Sequence, residues 1–191
     1  MIKHILALFV LTLCLTASRI AVSAPLGLPW GAQVSKHFQE IEDFSYFYGD
    51  PIWGSITFLG HFDEMEAEIQ LTLTNRYIVK ALLILGPGGL NEFNCLSRYK
   101  RIIALMNKKY GHFYFRKSKE DPTIEELLYS SHCRPFILGM RKLITYWKLP
   151  NFLISATLWG EEDVFIEIEY VYTPLLQQLK RDMTKKLLNK L

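Results

Sequence analysis

Across residues 64–73, Met65, Ala67, Ile69, Leu71 and Leu73 alternate with Glu64, Glu66, Glu68, Gln70 and Thr72. A period of two places the apolar set on one face of a strand and the carboxylates on the other. Thr74-Asn75-Arg76 then supplies a turn, and the next nine residues, 77–85, are apolar on both faces apart from Lys80. This predicts a hairpin whose second strand lies near the middle of a sheet. Residues 55–59 read as a shorter strand after a Gly49-Asp50-Pro51 turn, and 112–116 as another. Residues 143–149, 152–159 and 164–172 alternate as well, the last two runs joined at Gly160-Glu161-Glu162, which predicts an antiparallel meander.

Elsewhere the spacing is helical. Val34, Phe38 and Ile41 stand at i, i+4 and i+7, so residues 33–43 are expected to form a short N-terminal helix, entered through Leu28-Pro29-Trp30-Gly31. Asn91 can cap a longer helix that buries Leu96, Tyr99, Ile103, Met106 and Tyr110 and stops at Gly111. Pro122 and the Thr123-x-x-Glu126 capping box announce a short helix ending near Ser131. Thr173 and Pro174 start a C-terminal amphipathic helix with Leu175, Leu176, Leu179, Met183 and Leu187 on its apolar side. Runs of strands with helices between the runs mean α+β: one domain, mainly an antiparallel sheet with helices packed on it.

The first 24 residues stand apart. Lys3 and His4 precede an apolar run over residues 5–15, too short to cross a bilayer, and small residues follow at Ala21, Ser23 and Ala24. That is the layout of a removable secretory signal, cut after Ser23 or after Ala24. Leu13 precedes Cys14 where a lipobox needs a small residue, so Cys14 is not expected to carry a lipid. Residues 25–191 then form the domain, which works outside the cytoplasm, in the periplasm or released. No later stretch of the sequence is long and apolar enough to span a membrane.

Loss of the leader alters the charge. It carries Lys3 and Arg19 and no acid, so the net charge of +3 falls to near neutral. A near-neutral domain lacks the strongly basic face that nucleic acid requires. The C-terminal helix keeps a basic side, with Lys180, Arg181, Lys185, Lys186 and Lys190 against Asp182. Sheet packing accounts for its apolar stripe and the helix dipole favours its cations, although the same pattern suits an anionic membrane surface.

Cys95 and Cys133 remain after cleavage. In an oxidising compartment a lone pair commonly forms a disulfide, and two separate buried thiols are the alternative.

Leu28-Pro29-Trp30-Gly31, Lys109-Tyr110-Gly111 at a helix end, Tyr146-Trp147, Ile154-Ser155 and a last strand ending near Tyr170 together carry a likeness. Over roughly residues 27–175 the chain resembles a loose group of small exported bacterial proteins of unknown function. These open with a P-W-G type turn before a helix. Ala32-Gln33 intervene here where such proteins often place a capping Ser or Thr. The resemblance implies an exported α+β domain and no particular activity.

No catalytic, cofactor or metal signature stands out. Glu64, Glu66 and Glu68 could hold a hard cation but read better as a solvated strand face. Gly86-Pro87-Gly88-Gly89 before a helix lacks the Lys-Ser/Thr of a phosphate loop and reads as a strand-to-helix turn. His37, His61 and His112 have no ligand spacing. Trp30, Trp53, Trp147 and Trp159 suit a core, or an exposed groove for a peptide or glycan. The expected function is a non-enzymatic domain that binds an envelope or host protein through a sheet face or edge. The alternative is a small hydrolase or ligand-binding enzyme with a site near the 132–147 segment, where His132 adjoins Cys133.

Overall fold

The alternating segments pair into one antiparallel sheet. In the computed structural model, which describes residues 25–35, 38–50, 54–86, 90, 91, 93–118 and 133–177, nine strands share it. They are β1 (Glu40–Ile41), β2 (Phe44–Asp50), β3 (Ser55–Phe62), β4 (Met65–Thr74), β5 (Tyr77–Leu85), β6 (Phe115–Ser118), β7 (Leu143–Lys148), β8 (Phe152–Glu161) and β9 (Asp163–Tyr172). Two helices join them, α1 (Cys95–Tyr110) and the single-turn α2 (Arg134–Ile137). Residues 1–24, the short helix expected to end near Ser131, and residues 178–191 lie outside the described residues.

The spatial order is β1-β2-β3-β4-β5-β9-β8-β7-β6. Strands β1 to β5 wind inward to the middle of the sheet, α1 carries the chain to the far edge, and β6 to β9 wind back. The two meanders meet where β9 lies beside β5, with Leu83 opposite Ile168.

Tight turns set the register. Asp63-Glu64 joins Phe62 to Met65, and Asn75-Arg76 joins Thr74 to Tyr77. All four turn residues have φ between 50° and 67°. Positive φ at both central positions is the twist that a two-residue hairpin needs.

One face of the sheet is the core side. Ile69 of β4, Leu83 of β5, Ile168 of β9 and Ile154 of β8 are fully buried there. Each such side chain stabilises the fold by about 1.5–3 kcal/mol through its removal from water. Helix α1 lays its apolar stripe on this inner face. Leu96, Tyr99, Ile103, Met106 and Tyr110 are all buried, as the spacing predicts, together with Cys95 and Ile102. Polar contacts hold the helix in place. The Tyr99 hydroxyl lies 2.9 Å from Thr145 Oγ1 and donates to Ala156 O at 3.0 Å. Trp147 Nε1 donates to Asn107 Oδ1 and to Gly111 O.

The helix ends are specific. Asn91 Oδ1 accepts from the N–H groups of Phe93 and Asn94, and Asn94 Oδ1 accepts from that of Asn91. This reciprocal turn occupies the expected first turn, so the helix starts at Cys95. At the other end Gly111 takes φ 85° and donates its N–H to Asn107 O at 2.9 Å. A left-handed glycine stops a helix there.

The expected helix over residues 33–43 is absent from the described part of that segment. Instead Gln33 bridges to Tyr77, the Val34 N–H donates to Arg76 O at 2.9 Å, and residues 40–41 form β1. Val34 is buried and Phe38 packs edge-on against Phe58, with ring centroids 5.9 Å apart. The same apolar residues thus pack on the core, Val34 fully and Phe38 and Ile41 in part, from a strap that pairs with the sheet. An i, i+4, i+7 pattern does not distinguish the two when a neighbouring sheet offers backbone partners. Trp30 is tied into this strap, donating from Nε1 to Pro25 O at 2.9 Å and meeting Phe152 edge-on.

Cys95 and Cys133 are joined in a disulfide, with Cα atoms 6.0 Å apart and both side chains fully buried. The bond ties the start of α1 to the start of α2. Gly160 then allows α2 to lie close: a Cβ there would collide with the carbonyl oxygens of Phe136 and Asp163.

Candidate binding surface

The β2 end of the sheet is where apolar side chains reach solvent. Strand β1 pairs with Phe44 and Ser45, which leaves Tyr46 to Gly49 without a strand partner on that side among the described residues. Tyr46, Phe47 and Tyr48 are 38%, 58% and 53% exposed. Three consecutive aromatics at that exposure are a surface feature, since a half-buried strand shows one in two. A bulge at Phe47 explains it. Tyr46 lies opposite Phe58 and Tyr48 opposite Thr57, so Phe47 is the additional residue. Tyr46 therefore leans on the inner face against Phe58 (6.2 Å), while Tyr48 points to the outer face.

The aromatics are ordered by their neighbours. Phe47 and Tyr48 meet edge-on at 5.1 Å, and the Tyr46 hydroxyl donates to Gly49 O at 2.6 Å. Gly49 has φ 114°, and a Cβ there would strike the Ser55 carbonyl oxygen, so the kink that presents these rings depends on glycine. Nothing in the alternation pattern signals this strand, because the bulge breaks the period.

Two clefts flank the same end. The first, of about 480 Å³, lies between the strap and the β1–β2 hairpin, with Leu26, Phe38, Phe44 and Phe62 as its apolar walls and Lys109, His61 and Asp43 among its polar lining. The second, of about 670 Å³, opens on the outer face over Leu59, Ile84 and Phe165 and is lined by Asp43, Glu66 and Glu68. Asp43 and His61 belong to both. Apolar walls with a few polar groups are the usual form of a binding cleft.

The other candidates fall in different places. Glu66 and Glu68 share the outer face, whereas Glu64 sits in the β3–β4 turn with its side chain 82% exposed. In that turn Arg101 Nη2 binds Asp63 Oδ1 at 2.6 Å, which ties the hairpin to α1. Among the described residues no three His, Cys, Asp or Glu side chains gather as a metal set. Gly86 donates its N–H to Glu66 O, while 87–89 lie outside the described residues, as do His37, Trp53 and His132. His61 and His112 are exposed and stand apart in the chain. Cys133 is held in the disulfide, which leaves no thiol to act beside His132. Trp147 is core, and Trp30 and Trp159 are half-buried against Phe152 and Phe165. No described helix is long and apolar enough to cross a membrane.

Two tyrosines under α1 have shifted ionisation. Burial pushes the Tyr110 hydroxyl up to about 12, against a hydrogen bond from Tyr170 that lowers it. Burial also raises Tyr170 well above the ordinary value, reinforced by the Tyr110 charge and by the hydrogen bond between them. Neither lines a cleft, so both shifts are consequences of packing.

Comparison of the chain with protein-family models, with characterised proteins and with solved structures finds no match.

Proposed function

We propose that this chain is an exported, non-enzymatic domain that binds a protein of the cell envelope or of a host through the β2 end of its sheet. The observation that carries the reading is the run Tyr46-Phe47-Tyr48, exposed on a bulged edge strand between two clefts. Tyrosine and phenylalanine supply large, rigid contact area at small entropic cost, which is why aromatics dominate the energetic centres of interfaces. The edge of β2 beside them, which has no strand partner among the described residues, offers backbone hydrogen bonds to an extended segment of a partner. Export is supported by the leader-like residues 1–24 and by a buried cysteine pair in bonding geometry, which suits an oxidising compartment. The P-W-G resemblance points the same way.

The test is photocrosslinking in intact cells that make the chain with residues 1–24 present. A benzophenone amino acid is placed at Phe47 or Tyr48, and at the outer-face Thr72 as a control. A discrete adduct from 47 and 48, absent from 72, in the exported fraction is the expected result. Exported protein that gives no adduct from either β2 position sinks the binding surface, and retention in the cytoplasm sinks the export reading.

A further inference from the structure

The sheet has a second face, and the described helices leave it open. Their contacts go to inner-face residues: Tyr99 to Thr145, Asn107 to Trp147, Met106 and Tyr110 to Tyr170. On the opposite side the register sets Glu68, Ile84 and Glu167 in one row across β4, β5 and β9, with Leu82 and Glu169 side by side in the next. Leu82 and Ile84 are only half-buried although they lie on a central strand. Lys80 pairs with Glu169, yet the patch remains acidic around an apolar strip. The 670 Å³ cleft lies on this face, with Ile84 and Phe165 in its floor and Glu66 and Glu68 at its side.

We propose that the chain's own C-terminal segment, residues 178–191, docks on this outer face. Two observations select that occupant. The first is charge: Lys180, Arg181, Lys185, Lys186 and Lys190 oppose the lone acid Asp182, and they accompany Leu179, Met183 and Leu187. A segment both basic and apolar complements a surface both acidic and apolar. The second is reach. Strand β9 ends at Tyr172 and the next five residues, 173–177, are helical, with Leu175 and Leu176 half-buried. Residues 173–191 can reach roughly 28 Å even at the helical rise of about 1.5 Å per residue, while the strand distance back from Tyr172 to Phe165 is roughly 23 Å. A segment folding back from the end of β9 therefore reaches the cleft. It covers the apolar strip and sets its cations among Glu68, Glu167 and Glu66. The seat shares the 670 Å³ cleft with the β2 end, but it is read by a link to residues 178–191 and the binding function by adducts from Phe47 and Tyr48, so either can fail without the other.

The experiment places the benzophenone amino acid at Ile84, and separately at the exposed Leu59, in the full chain. It is irradiated with and without vesicles of anionic phospholipid, and the products are mapped by mass spectrometry. A probe at Leu59 keeps the test valid should the Ile84 substitution disturb folding. The expected result is a link within one chain to a peptide from residues 178–191, with a yield that does not change on dilution. Glu68→Lys with Glu167→Lys should lower that yield about fivefold, the effect of losing two surface charge pairs, and adding Lys185→Glu with Lys186→Glu should restore it. Links only between chains, adducts only with lipid, or no link to residues 178–191 from either position each overturn the proposal.

Discussion

Breaking the Cys95–Cys133 bond should cost this fold a large part of its stability. The two residues are 38 apart in sequence, and both side chains are fully buried. In the chain-entropy treatment, opening a loop of that length gives the unfolded ensemble freedom equivalent to about 4 kcal/mol. For a domain of this size each kcal/mol moves the melting temperature by about 2–4 °C, so the midpoint should fall by roughly 10 °C. The perturbation is the paired substitution Cys95→Ala and Cys133→Ala, which removes the tether without leaving a lone thiol. Thermal and urea melts of this variant are compared with those of the oxidised protein, beginning at Pro25 so that Cys14 does not interfere. Alanine at these sites also loses some packing, which thiol reduction of the unaltered protein does not, so the two experiments bracket the tether. An alkylation count under unfolding conditions should find no free thiol before reduction and two after it. Two free thiols before reduction, or melts that coincide with and without reductant, would refute the reasoning.

Two further outcomes follow from the packing. Tyr110 and Tyr170 should stay protonated when ordinary tyrosines ionise, because burial raises both, Tyr110 to about 12. Their contribution to stability is complete below the unfolded value of 10.0 and is lost as pH rises towards 12, since the unfolded chain releases its protons first. Spectrophotometric titration of the phenolate band should show late-ionising tyrosines that unfolding releases; a native protein whose tyrosines all titrate near pH 10 would contradict this. Gly160→Ala should destabilise by about 2–3 kcal/mol, because its Cβ meets backbone carbonyls of α2 and of the start of β9 that cannot rotate aside. Urea unfolding reads this directly, and an unchanged midpoint would mean that α2 can move away.

The sequence by itself determined the elements whose stabilisation is local. Period-two alternation located β4 and the β7–β9 meander, and a continuous apolar run after the Thr74-Asn75-Arg76 turn located β5, because these strands turn a face to the core. The stripe from Leu96 to Tyr110 and the glycine after it marked the body and end of α1 for the same reason. Tertiary structure decided the rest. The pairing of β5 with β9 joins residues 81 to 91 positions apart, and no local period encodes which apolar strand takes which neighbour. The strap before β1 was written in a helical spacing, yet its donors found partners at Gln33–Tyr77 and Val34–Arg76 on the β4–β5 hairpin. Strand β2 was hidden because a bulge at Phe47 shifts the alternation by one, and that shift is what puts its aromatics in solvent. The β2 end, where the proposed binding surface lies, is thus a place where local pattern and final fold diverge. There the side chains answer to neighbours brought from far along the chain.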